Sequence, residues 1–232
     1  MSRLILAARR LLDAVLPPRC VVCGEPGDAP DALCAACFTR LPWNHTPCGV
    51  CALPLCDDSG PCRCTRRRHA VIDRVLAPLR YEFPVTSLVP RLKFHGDLAA
   101  GRALTQLLDL ALRDEPRPDA LVPVPLHSRR LASRGYDQAL ELARPLARAL
   151  DIPLRTDLLR RTRDTRPQTE LRARSRRRNL QDAFRAVGVV PGHVALLDDV
   201  MTTGNTLNEC AVALREAGAD RVEAWVVARA SA

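Results

Sequence analysis

From Val194 to Leu197 the chain is apolar without interruption. Two acids follow, Asp198 and Asp199, then Val200 and Met201, and then a polar stretch, Thr202-Thr203-Gly204-Asn205-Thr206, that opens a segment of helical periodicity. A strand with no polar alternation must be covered on both faces, which is the condition of a parallel sheet inside an α/β fold. Further strands are predicted at 71–81, 121–126, 154–161, 183–187 and 222–228, with helices at 85–94, 98–112, 137–150 and 205–217. The alternation from 121 onward predicts a parallel sheet flanked by helices with right-handed crossovers. Ligands of such sheets collect at the carboxyl ends of the strands, where the acid pair and the polar loop fall.

The residue types in that loop suit a particular chemistry. Thr202, Thr203 and Thr206 supply hydroxyl donors, Gly204 lets the backbone approach an anion, and a helix N-terminus presents N–H groups to a phosphate. Asp198 and Asp199 would repel phosphate, so they suit another partner: a carboxylate can accept hydrogen bonds from vicinal hydroxyls such as those of a ribose. A ribose diol bearing a 5′-phosphate satisfies both halves of the stretch. Leu196 to Thr206 resembles the phosphoribosyl pyrophosphate (PRPP) fingerprint of type I phosphoribosyltransferases. The resemblance implies that Asp198 and Asp199 hold the ribose hydroxyls and that Val200, Met201, Thr202, Thr203, Gly204, Asn205 and Thr206 surround the 5′-phosphate. One departure matters. Where the 6-oxopurine salvage branch carries an Asp as general base, this chain has Thr202, which cannot take a proton near neutral pH.

A separate constraint comes from cysteine. Cys20 and Cys23, Cys34 and Cys37, and Cys48 and Cys51 form three C-x-x-C knuckles, followed by Cys56, Cys62 and Cys64. Repeated knuckles in a chain read as cytoplasmic indicate tetrahedral thiolate sites for zinc rather than disulfides. The first site takes Cys20, Cys23, Cys34 and Cys37. The second takes Cys48 and Cys51 with two of Cys56, Cys62 and Cys64, and Cys62 with Cys64 is the working pair. An iron–sulfur cluster is the alternative there. Four thiolates leave no open coordination position, so the module is structural or a binding surface rather than a hydrolytic centre.

The flanks complete the layout. Residues 1–18 read as an amphipathic helix whose charges, Arg9, Arg10 and Asp13, exclude a secretory signal, and no stretch approaches a membrane span. The chain divides into that helix, a cysteine-rich module at 19–68 and an α/β domain at 71–232. Aromatic residues are only 3% of the 232, so the core must be built of Leu, Val and Ala. The formal net charge of +9 suits anionic partners, a pyrophosphorylated sugar or a nucleic acid. Pro123 and Pro125 mark the end of a strand, and His127, Ser128, Arg129 and Arg130 follow it. In type I phosphoribosyltransferases the corresponding loop holds the pyrophosphate, so Leu126 to Arg130 resembles that loop. The segment 162–179, with Arg172, Arg174, Arg176 and Arg177, lacks an apolar stripe and reads as a basic flap that could close over a charged ligand. Lys93 reads as either a ligand contact or a surface lysine.

Taken together, the cysteine module, Leu92-Lys93-Phe94-His95-Gly96-Asp97, Val122-Pro123-Val124-Pro125, Arg134-Gly135-Tyr136-Asp137-Gln138-Ala139, Gln168-x-x-Leu171, Arg176-x-x-Asn179-Leu180-x-x-Ala183-Phe184 and the PRPP loop resemble the ComF family over nearly the full length. Asp137 stands where that family usually has Asn. The resemblance implies a double zinc ribbon joined to a type I phosphoribosyltransferase-like domain, PRPP bound with Mg²⁺, and a role in natural transformation and the handling of imported single-stranded DNA. A competence helicase is the implied protein partner. The alternative reading is an active phosphoribosyltransferase that moves ribose 5-phosphate to a small nitrogenous acceptor.

Overall fold

The computed structural model describes residues 19–27, 32–55, 62, 71–127, 131–132, 134–162 and 183–231. The predicted helix at 1–18, the flap arginines, Ser128, Arg129, Arg130, Cys56 and Cys64 lie outside them. Strands β1 (Arg74–Leu76), β2 (Leu79–Arg80), β3 (Ala120–Pro123), β6 (His193–Met201) and β7 (Arg221–Arg229) form one sheet. Its order is β1-β7-β6-β3, with β2 also on β7, and every pairing is parallel. Strands β4 (Leu159–Arg161) and β5 (Phe184–Ala186) make a small antiparallel ladder of their own.

Both faces of the sheet are buried, as the unbroken apolar run requires. Leu121, Ala195, Leu197, Trp225 and Val227 face helices α2 (Val85–His95), α3 (Leu98–Leu112) and α4 (Gln138–Leu150), meeting Leu88, Leu104, Leu108, Leu142 and Leu146. Their alternating neighbours Val122, Val194, Leu196, Ala224 and Val226 face helix α5 (Asn205–Glu216) and the β4–β5 ladder through Leu207, Cys210, Leu214 and Phe184. Period-two alternation between two apolar layers gives the helix–sheet–helix sandwich. Truncating a fully buried leucine such as Leu104 or Leu146 costs about 2–5 kcal/mol. Among the described residues no helix is long and apolar enough to cross a membrane.

Three predicted strands are redrawn. The strand predicted at 71–81 is two pieces, because Pro78 lacks an N–H and the carbonyls at the break are taken by another segment: Ala77 O accepts from Asn44 Nδ2 and Pro78 O from Asn44 N. The strand at 121–126 ends at Pro123, and only Val124 N, donating to Leu197 O, continues the ladder. The strand at 154–161 splits. Leu154 bridges Leu121 at the edge of the parallel sheet, while residues 159–161 leave it to pair antiparallel with β5.

The cysteine-rich segment, which carries the short helix α1 (Ala35–Thr39), packs directly on this sandwich. Trp43 bridges Leu79 antiparallel, Arg91 donates to Val21 O, and Ala32 N donates to Gln106 Oε1. Cys20, Leu33 and Leu41 join one apolar layer and Ala52 the other.

Candidate functional site

The carboxyl ends of β3, β6 and β7 converge where the sequence places its acid pair. Asp199 is 3% exposed, and its carboxylate accepts from Lys93 Nζ at 2.8 Å and from Val200 N at 2.9 Å. Asp198 Oδ1 accepts from Asp199 N at 2.8 Å. Burial pushes the Asp198 carboxyl well above its ordinary pKa, and the charge of Asp199 adds to the rise. Burial also works against the Lys93 ammonium, yet the two carboxylates overcome it and hold its pKa above the usual value. Lys93 is therefore part of the acid-pair cluster rather than a surface lysine. Two carboxylates and one ammonium leave net negative charge at the strand tip, suited to a cation or to a pair of hydroxyl donors.

Lys93 gets there through the motif around it. Helix α2 ends at Gly96, whose φ of 63° is the left-handed cap that glycine adopts at least cost. Asp97 then caps α3, accepting from Ala99 N and Ala100 N, and it also takes Nε of Arg91. Tyr136 fastens the helix end from outside: its hydroxyl donates to Leu92 O and accepts from Gly96 N. Phe94, one residue beyond Lys93, is 61% exposed with the Arg134 guanidinium 5.3 Å over its ring.

Past the acids, Met201 is buried in the core and the half-buried Val200 packs partly against it, with Met201 O taken by Arg229 Nη1 and Ala230 N. Thr202 is exposed; Thr203, Asn205 and Thr206 are half-buried. Gly204, at φ 75°, is the N-cap of α5 and has no side chain to occupy the first-turn N–H groups, an arrangement that accepts an anion. Asp137 caps α4 as the sequence predicted, accepting from Ala139 N and Leu140 N. Its other oxygen accepts from Leu126 N at 3.2 Å, tying the loop after β3 to that helix. Burial raises the Asp137 pKa, with the neighbouring charge of Asp199 contributing. Leu126 and His127 are half-buried beside it.

The cysteines form two groups. The Sγ atoms of Cys20, Cys23, Cys34 and Cys37 lie within 4.8 Å of one another, as do those of Cys48, Cys51 and Cys62. Four thiolates at about 2.3 Å from one tetrahedral zinc stand roughly 3.8 Å apart. The contacts Cys23–Cys34 and Cys51–Cys62 are both 3.7 Å, so the residues fit that ion. Burial opposes ionisation of Cys20, but N–H groups of Cys23, Cys34 and Val22 outweigh it and bring the thiol down to about 6. Cys37 is pushed up to about 12 by burial and by the neighbouring sulfurs. A central cation is what allows all four to ionise.

Sequence reading missed the residue that joins the second group to the loop. Arg229 at the end of β7 donates Nε to Cys51 O at 2.9 Å, and Nη1 to Met201 O, Thr202 O and Ala230 O. Burial lowers the pKa of its guanidinium while Cys51 and Cys62 support the charge. A single arginine closing an apolar run carries no signal of this. Tyr136 and Arg134 were visible only as letters within a motif.

Residues 11–66 match the double zinc ribbon domain family and residues 137–232 the phosphoribosyl transferase domain family. The chain is 36% identical to competence protein F of Haemophilus influenzae over 224 residues, covering 91% of this chain and 97% of that protein. It is 35% identical to DNA utilization protein YhgH of Escherichia coli K12 over 204 residues, 85% of this chain and 90% of that one. Competence protein ComFC of Streptococcus pneumoniae is 26% identical over 149 residues, 64% and 65% of the two chains.

Proposed function

The chain belongs to the ComF family, and on that footing we propose that it binds PRPP at the tip of β6 and acts in the handling of imported single-stranded DNA. The observation that carries the ligand reading is the junction itself: an acid pair whose second member is buried, a hydroxyl-bearing loop and the Gly204-capped start of α5, in direct succession at a strand end. Asp198 and Asp199 receive the ribose hydroxyls, and the loop from Thr202 to Thr206 holds the 5′-phosphate. Lys93 pairs with Asp199 at 2.8 Å and aims its carboxylate. Leu126 to Arg130 serve the pyrophosphate, with Leu126 held by Asp137. Mg²⁺, when bound with PRPP, neutralises pyrophosphate charge. Both cysteine groups hold zinc, the second completed by Cys64.

Calorimetry with PRPP and Mg²⁺ tests the ligand. Micromolar heat is expected for the native chain and none for Asp198→Ala, and silence from the native chain ends the reading. The DNA role follows from the relatives' names and the charge of +9. Affinity for single-stranded DNA should fall with salt at a slope near −0.7 per phosphate contacted. Replacing Arg172, Arg174, Arg176 and Arg177 by alanine should flatten that slope, and an unchanged affinity removes the flap from the interface.

Phe94 favours a second reading, transfer to an acceptor. An exposed ring beside Lys93, with Arg134 over it, is a platform for a planar nitrogenous base. The acceptor nitrogen would attack C1′, the bond from C1′ to oxygen would break, pyrophosphate would leave with the electron pair, and the nitrogen would lose its proton to water. Thr202 provides no base, so an acceptor nucleophilic without deprotonation is required. Pyrophosphate release across a panel of bases and amines, with Asp198→Ala and Asp199→Ala as controls, decides between binding and turnover.

A further inference from the structure

Arg229 is a cation 3% exposed to solvent, and among the described residues no carboxylate pairs with it. A buried guanidinium needs both hydrogen-bond acceptors and a compensating charge. Its acceptors are carbonyls: Cys51 O at 2.9 Å, Met201 O at 2.8 Å, Thr202 O at 2.5 Å and Ala230 O at 2.6 Å. One of those carbonyls belongs to Cys51, a member of the second cysteine group, whose thiolates can supply the compensating charge. A zinc ion bound by four thiolates carries a net charge of about −2, so a filled second site is the counter-ion that this arginine lacks elsewhere.

The same side chain sets the backbone of the ligand loop. Met201 O and Thr202 O are the carbonyls from which the chain turns into Thr203 and Gly204, and Ala230 N closes the arrangement by donating to Met201 O at 3.0 Å. The fork of a guanidinium is planar and rigid, so its hold on Cys51 O fixes where Nη1 points. An ammonium on a flexible stem has neither the reach nor the geometry for both sides at once.

We propose that Arg229 is a positioning residue that makes the second cysteine site and the phosphate loop one linked unit, so that filling the metal site raises PRPP affinity and PRPP raises zinc affinity. This deepens the reading of the loop as a PRPP site and rests on it. Linkage demands that the two effects be equal in size. Zinc at the second site holds Cys51, Cys51 holds Nε, and Nη1 holds the two carbonyls from which the chain turns into the Thr203–Thr206 stretch. Without the ion, those carbonyls lose their fixed donor and the loop samples arrangements that do not receive phosphate. Among the described residues the first cysteine group, whose segment hydrogen-bonds to α2 and α3, has no such connection.

The test uses the full-length, zinc-loaded protein. Zinc affinity is measured by competition with a chromogenic chelator, with and without saturating PRPP and Mg²⁺, and PRPP affinity by calorimetry. For the native chain, PRPP should tighten one of the two zinc equivalents about 5-fold or more and leave the other unchanged. In Arg229→Lys, which keeps the charge, and in Arg229→Met, both equivalents should bind with no response to PRPP. Circular dichroism and melting curves check that the variants are folded; the native-chain result stands without them. If PRPP binds but neither zinc equivalent responds, the coupling is wrong and the PRPP reading survives. If PRPP gives no heat with the native protein, both fall. A response of both equivalents alike, or one retained in Arg229→Lys, assigns the effect to general stabilisation and overturns the role of Arg229.

Discussion

Two of the cysteine knuckles follow one hydrogen-bond plan. Cys20 N donates to Glu25 O and Gly24 N to Cys20 O; farther on, Cys48 N donates to Leu53 O and Ala52 N to Cys48 O. Flanking bridges repeat too, Arg19 with Pro26 and Pro47 with Pro54. The turn closes in the left-handed region both times, at φ 77° for Gly24 and 53° for Ala52. Gly24 is exposed, however, whereas the Ala52 methyl is fully buried among Ile72, Val75 and Ala77. The first knuckle clasps helices on one face of the sheet; the second is built into the carboxyl end of the sheet, against Arg229. Identical local chemistry thus serves a staple in one place and a junction in the other, and what differs is the partner that each turn buries.

The largest effects should come from ligand removal. Structural zinc contributes on the order of 10 kcal/mol of apparent folding free energy in isolated ribbons. Cys37→Ser should therefore release one zinc and lower the melting temperature sharply, while PRPP affinity per folded molecule stays native. Cys51→Ser should release the other zinc and weaken PRPP as well. Elemental analysis, melting curves and calorimetry together separate the two sites, and equal loss of PRPP affinity in both variants erases the contrast.

Asp199→Ala attacks the junction from the loop side. It strands Lys93 without its carboxylate, at a cost of about 3 kcal/mol, the low end for a broken buried pair because Lys93 keeps some contact with water. Urea unfolding reads this, and pairing the change with Lys93→Met should return part of it. Zinc content should not change.

Asp198→Asn should act in the opposite direction on stability. Because its folded pKa is raised, Asp198 favours the native state only while protonated and penalises it progressively as pH rises above the ordinary carboxyl range. The variant should melt several degrees higher at pH 7.5, show no gain near pH 3, and bind no PRPP. A lower melting temperature at pH 7.5 contradicts the burial account of this carboxyl.

The smallest effect belongs to the knuckle turns. Gly24→Ala should cost about 1 kcal/mol by backbone conformation alone, since an added Cβ there meets nothing within 4 Å. Ala52→Gly should be nearly neutral, because relief at φ 53° offsets the lost methyl contact. Paired urea midpoints measure both.

What the sequence disclosed has a pattern. Helix α3 falls at 98–112 as predicted, and Asp137 caps α4, because periodicity and capping are encoded within a few neighbouring residues. The acid pair, the loop and the knuckle spacings were legible for the same reason. Contacts between distant segments were not. Lys93 and Asp199 are 106 positions apart and Arg229 and Cys51 178, and nothing local marks either partner. The strand predicted at 71–81 broke at Pro78 because Asn44, from another part of the chain, takes the carbonyls there.

The sheet's pairing order sets a timetable for synthesis. Among the described residues β1 pairs only with β7, and β2, although Trp43 bridges its Leu79, also takes its partner strand from β7, so Arg74 must wait for Glu223. At ribosomal speeds of roughly 5–20 residues per second, that delay is on the order of ten seconds. Throughout it Trp225 and Val227 are missing from the apolar layer that α2, α3 and α4 cover, and Cys51 O lacks the guanidinium of Arg229. The last strand made completes the centre of the sheet, so a chain halted before residue 221 should be a client for chaperones, and Arg229 arrives as the final part of a junction whose other pieces were made long before.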